Sequence, residues 1–126
     1  MGLVTVAESF SGAAQAFPIA SGHAGGTGAV DLGGIYAYLR IYCQDATGIA
    51  PNTTLRITVG LVDGETRQTV LSPETGAEYT PVLPGTGTFV FAPAFLIGAR
   101  FVTLTLSVIT TQAVVLYVQG IGKLGR

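Results

Sequence analysis

Charge is what this sequence has least of. Six Lys and Arg and seven Asp and Glu are spread over 126 residues, while 48% of the chain is hydrophobic and mean hydropathy is +0.56. A folded monomer of 12.9 kDa exposes roughly 6,300 Å². Each charge then serves on the order of 500 Å² of surface, whereas well-behaved soluble surfaces are roughly a quarter to a third charged residues. Part of the exterior is therefore expected to be covered in the working state, by copies of the chain, by another protein or by lipid. The net charge of −1 gives no electrostatic footprint for nucleic acid, because the basic residues form no stripe.

Reactive side chains are equally scarce. Cys43 is the single cysteine, which excludes an intrachain disulfide and leaves stability to packing or assembly. His23 is the single histidine, so a two-histidine metal site is excluded. It sits in Ser21-Gly22-His23-Ala24-Gly25-Gly26, a stretch too glycine-rich to hold a general base in place, and reads as a loop residue. Cys43 falls on the apolar face of a strand, where a thiol behaves as a small inert hydrophobe. With so little to converge, no catalytic, cofactor or metal site is expected and the chain does not read as an enzyme.

Lipid is disfavoured by pattern. The run from Phe101 to Gly122 carries no charge and is long enough to cross a bilayer as a helix. Its polar residues fall on alternate positions, however, with Thr110-Thr111-Gln112 at its centre, which is the signature of a buried hairpin. An outer-membrane barrel also alternates, but the opening Met-Gly-Leu-Val-Thr-Val lacks the layout of a signal peptide. Gly2 invites myristoylation, yet the motif wants Ser or Thr where Val6 stands. The expectation is synthesis in the cytoplasm and no membrane partner.

Eighteen glycines and six prolines, with frequent Thr and Val, point to an all-β chain with many turns. The clearest strand is Ile35–Cys43, with Ile35, Ala37, Leu39, Ile41 and Cys43 on one face and Tyr36, Tyr38, Arg40 and Tyr42 on the other. A second is Leu55–Val62, followed by Asp63-Gly64, a dipeptide favoured in two-residue hairpin turns, and a return strand over Thr66–Leu71. Thr88–Ala92 is short, bounded by Pro84-Gly85-Thr86-Gly87 and Pro93. Strands over Val102–Val108 and Val114–Gln119 end the chain, joined by a turn without glycine. Leu3–Ala7 and Ala29–Leu32 are further short candidates, and the Gly-, Ala- and Ser-rich stretch Ser11–Gly28 reads as loop or arm. About eight strands at this spacing predict a β-sandwich or jelly roll. The domain is placed at residues 29–126, behind a loose N-terminal segment at 1–28.

Most motifs have a plain structural reading. Asp63, Glu65 and Arg67 sit at a solvated hairpin tip, where carboxylates serve turn geometry more often than acid–base or cation chemistry. Asp45, beside Thr47-Gly48, reads as a turn residue. The glycines from Gly22 to Gly28 match neither the dinucleotide fingerprint nor the phosphate loop. Asn52-Thr53-Thr54 fits the N-glycosylation pattern, which is common by chance. The exception is Tyr36, Tyr38, Arg40 and Tyr42, residue types enriched at interfaces and their hot spots. Along one strand they make a ridge of about 20 Å. Three readings stay open for it: a partner interface, a second buried sheet face, or a platform on which carbohydrate rings stack.

The order of segments resembles the small capsid cement, or decoration, proteins of tailed bacteriophages, of the jelly-roll kind. The matching pieces are Ala29-Val30-Asp31-Leu32-Gly33-Gly34 leading into the first long strand, and Leu55-Arg56-Ile57-Thr58-Val59-Gly60-Leu61 before a turn. The third is Arg100-Phe101-Val102-Thr103-Leu104-Thr105-Leu106 before the final apolar strand. The likeness spans most of the chain after about residue 28. It implies a structural virion protein, made in the host cytoplasm, that sits on the outer capsid surface as a homodimer or homotrimer bound to the major capsid protein. The segment at 1–28 would then be an arm that orders on the particle. A carbohydrate-binding β-sandwich module and a tail or baseplate subunit are the alternatives.

Overall fold

The computed structural model describes residues 11–84 and 87–124. Among them, β-branched and alternating segments form seven strands and no helix. These are β1 (Gln15–Ile19), β2 (Val30–Cys43), β3 (Leu55–Gly60), β4 (Gln68–Thr69), β5 (Phe89–Phe91), β6 (Ala99–Leu106) and β7 (Val114–Lys123). All pairings are antiparallel, in the order β1-β7-β2-β6-β3-β4, with β5 on the remaining side of β2. The sheet curls around a single core. The fold is a β-sandwich of the jelly-roll type, as the strand spacing predicted.

Strand β2 belongs to both layers. Its start pairs with β6 and its end with β7, and the register slips between Asp31 and Tyr36. Gly33 sits at the slip with φ of +81°, a conformation that a residue with a Cβ reaches only at a cost. Asp31 holds this corner: Oδ1 accepts the Gly33 N–H at 2.8 Å, and the Arg100 guanidinium grips both carboxylate oxygens at 2.9 and 3.2 Å. A bulge inverts which residues face inward. Val30 and Leu32 point to the core before it, and Leu39, Ile41 and Cys43 after it. Two segments that read as separate strands, Ala29–Leu32 and Ile35–Cys43, are thus one strand with its phase switched.

The core is built from alternate residues of facing strands. Leu39, Ile41, Leu55, Ile57, Leu104 and Leu116 are fully buried in one cluster. Full burial of each such side chain contributes roughly 1.5–3 kcal/mol. The β6–β7 connection needs no glycine because its neighbours hold it. Thr110 is buried, its hydroxyl donates to the Ala20 and His23 carbonyls, and the Thr111 N–H donates to the Gly48 carbonyl.

Two expectations change. Ser11–Gly28 is not simply loop: it contains β1, which pairs with β7 from Gln15↔Val118 to Ile19↔Val114 and buries Phe17 and Ile19. The expected strand Leu3–Ala7 lies outside the described residues. The Asp63-Gly64 hairpin is wider than a two-residue turn, since β3 stops at Gly60 and β4 starts at Gln68. The Glu65 carboxylate accepts the Leu61 and Val62 N–H groups that would have continued the ladder.

Candidate functional site

The outer face of the layer β1-β7-β2-β5 carries three tyrosines, Tyr38, Tyr42 and Tyr117. Antiparallel register places Tyr42 opposite Tyr117, Arg40 opposite Gln119 and Tyr38 opposite Ile121. On the flanks, Ala16 sits beside Tyr117 and Val90 beside Tyr42. Directly opposed side chains on one sheet face touch, and aromatic pairs gain most from doing so. The Tyr42 and Tyr117 rings stack, with centroids 5.0 Å apart and planes 11° from parallel. The Arg40 guanidinium carbon lies 4.6 Å from the Tyr42 ring centre, within cation–π range. Tyr38 is 40% exposed at one end of this surface and Val90 55% exposed at the other. Between Arg40, Tyr42, Gln44, Thr88 and Val90 lies an open groove of about 410 Å³.

The expected ridge therefore forms with one member exchanged. Tyr38, Arg40 and Tyr42 share the outer face, but Tyr36 is only 5% exposed and belongs to the core cluster. The reason is the glycine at position 120. Its backbone is bare, and the Tyr36 ring fills the space so closely that a Cβ there would lie 2.3 Å from the ring's Cγ. Tyr117 joins the surface at its other end, opposite Tyr42. Alternation along its own strand already put it away from the core, but only cross-strand register brings it onto Tyr42.

The other singled-out residues have local structural roles. Cys43 is buried, and desolvation holds its thiol above the usual range. His23 is an exposed loop residue whose carbonyl anchors Thr110. Asp45 accepts both the N–H and the hydroxyl of Thr47, which pull its carboxyl below the usual range, as expected of a turn residue. Glu65 closes its loop, and Arg67 donates to the Val62 and Glu65 carbonyls while lying near Asp63. Asn52 adopts φ of +65° in a tight turn, with Thr53 buried behind it and bonded to the Ala50 carbonyl. Among the described residues no group of three or more His, Cys, Asp or Glu is placed to share a metal ion.

The opposite layer presents a different outer face. Thr58 pairs with Thr69 on one side and Thr103 on the other, and Arg56 stands opposite Thr105. Arg56 forms a two-pronged ion pair with Glu78 at 2.8 and 3.0 Å, which lowers the glutamate's pKa. That face is hydroxyl-rich, its charges neutralise one another, and its one aromatic among the paired residues, Phe101, lies beneath the Arg67 and Arg100 guanidinium groups, each 5.2 Å from its ring centre. The two faces of the sandwich are thus chemically unlike.

No model of a known protein family matches the chain, and neither does any curated protein. Solved structures do. A truncated AlyQ with CBM32 and alginate lyase domains superposes with a TM-score of 0.50 at 15% identity, over 90% of this chain and 35% of that one. A rhamnosidase from Klebsiella oxytoca with rhamnose bound gives 0.51 at 14% identity, over 94% of this chain and 31% of that one. What is shared is the fold. The chain spans about a third of the length of each of these two proteins.

Proposed function

We propose that this chain is a non-catalytic β-sandwich module that binds carbohydrate on the outer face of β1-β7-β2-β5. The observation that carries the reading is the stacked Tyr42–Tyr117 pair with Arg40 beside it and Tyr38 exposed farther along the same strand. Aromatic faces offer apolar C–H-matching surface, while the phenol and guanidinium groups supply hydrogen bonds that orient a polyol. The scaffold is a regular sheet, so the platform is rigid before the ligand arrives and little ordering entropy is lost on binding. Support comes from the two solved proteins that share the fold, whose descriptions name a CBM32 domain and a bound rhamnose. In this reading the module supplies attachment, and any chemistry belongs to a partner. Affinity electrophoresis through gels cast with soluble polysaccharides tests it. Retardation by at least one polysaccharide is expected, and Tyr117→Ala should lose it while Thr58→Ala on the opposite face retains it. A wild-type protein that no polysaccharide retards would overturn the reading.

A second reading rests on a different observation. Leu61, Val62, Val82, Leu96 and Ile109 are each about half exposed or more, on a chain already short of charge. Solvent-facing apolar side chains in that number suit a subunit covered by neighbours. Here the chain is a structural virion protein: a decoration protein bound to the major capsid protein and to its own copies, or a tail or baseplate subunit. Light scattering separates the two readings. A dimer or trimer whose assembly fails in Val62→Ser supports the virion role, and a stable monomer counts against it.

A further inference from the structure

We propose that the ligand of the Tyr42–Tyr117 platform is an acidic glycan, recognised by Arg40; the inference rests on the carbohydrate reading above. Arg56, Arg67 and Arg100 each face a carboxylate of the same chain within 4.0 Å. Arg40 faces none among the described residues, although acidic side chains outnumber basic ones in the sequence. Its interaction with the protein is the contact with the Tyr42 ring. That contact uses the charge of the guanidinium and leaves its N–H donors, five in any arginine, free of described side-chain partners. By contrast, the donors of Arg56 and Arg100 are spent on Glu78 and Asp31.

The position is built into the fold. Arg40 lines the groove of about 410 Å³ with Tyr42, Gln44, Thr88 and Val90, and none of these carries negative charge. The strand below is locked between β7 and β5, so the guanidinium projects from fixed backbone. An arginine half withdrawn from water, with its ring-side face covered and its donors open, is matched by an oxyanion that accepts two parallel hydrogen bonds. On a sugar, that group is a uronate carboxylate or a sulfate ester. The outward edges of the stacked rings meet the apolar side of the saccharide while Arg40 takes the acid.

Isothermal titration of the full chain tests this with three probes of equal length: an oligogalacturonate, a sulfated galacto-oligosaccharide and a neutral galacto-oligosaccharide. One or both acidic probes should bind at least about tenfold more tightly than the neutral one, the ratio expected for a hydrogen-bonded charge pair, and the tighter acid names its source. Added salt should shrink that ratio. Arg40→Gln, with an unchanged thermal melt, should abolish the acidic preference, so that the acidic probes bind the variant no more tightly than the neutral probe binds the same variant. Equal binding of all three, or an acidic preference that survives Arg40→Gln, would overturn the inference while leaving the carbohydrate reading standing. Binding of none would overturn the inference, and the carbohydrate reading falls with it only if the polysaccharide gels also fail to retard the wild type.

Discussion

Gly120 is where the sequence decides which tyrosines reach the surface, so Gly120→Ala is the most telling single change. A Cβ at 120 would sit 2.3 and 2.4 Å from two atoms of the Tyr36 ring and 2.9 Å from its Cβ. Those distances are far inside van der Waals contact, and the obstacle is the root of the side chain, which a rotation at its tip does not relieve. Either the ring leaves the core or β7 moves away from β2. The first forfeits about 1.5–3 kcal/mol of burial, and the second strains the sheet by about 1–3 kcal/mol. A loss of about 1–3 kcal/mol is expected by either route. In urea that moves the midpoint down by roughly 1–2 M. The double-mutant cycle sharpens the argument. Gly120 does not have a positive φ, so once Tyr36→Ala has cleared the space, adding Ala at 120 should be neutral or stabilising by up to about 1 kcal/mol. The sign of the glycine substitution should therefore depend on residue 36. Equal costs in both backgrounds would refute the claim that Tyr36 occupies the room a side chain at 120 would need.

Three further outcomes follow from the same contacts. Asp31→Asn should loosen the β2 corner. Arg100 first, and the Gly33 N–H second, hold the Asp31 carboxyl below its ordinary value of 3.8. The stabilisation is therefore present above that value and lost as pH falls through the lower folded-state pKa, so the wild type should lose an acid-side increment of stability that Asp31→Asn never had, read by melting temperature against pH. Cys43 should resist a thiol reagent in the native state and react at the global unfolding rate, checked by labelling at increasing urea; fast native labelling would contradict its burial. Leu104→Ala, at a fully buried core position, should cost about 2–5 kcal/mol, while leaving the outer-face residues of β2 and β7 in place by near-ultraviolet circular dichroism of the tyrosines.

The fold was legible because the strands that matter are amphipathic by alternation. Leu55, Ile57, Val102, Leu104 and Leu106 announce their faces one residue at a time and are all buried in the core, whereas Leu61 and Val108, at the ends of the same alternations, are exposed. What alternation cannot carry is a change of phase. Gly33 lets β2 switch faces, and a period-two reading that begins afresh at Ile35 sees two strands where the chain makes one. β1 was hidden for a related reason: Gln15–Ile19 holds two inward side chains and a proline, too short a pattern to stand out in a stretch rich in small residues. Pro18 is tolerated there because β1 is an edge strand. At the site, composition singled out Tyr38, Arg40 and Tyr42, and burial removed Tyr36. Tyr117 entered through register, a long-range property that the local sequence of β7 does not encode.

The claim on which the account depends is that the face carrying Tyr38, Arg40, Tyr42 and Tyr117 is where ligand meets protein. Titrating isotope-labelled protein with an acidic oligosaccharide and following each backbone amide by nuclear magnetic resonance tests it most directly. The account predicts shift changes confined to the outer-face rows of β2, β7 and β5, centred on Arg40 and Tyr42. Changes centred on Thr58, Thr103 and Arg56, across the sandwich, would contradict it.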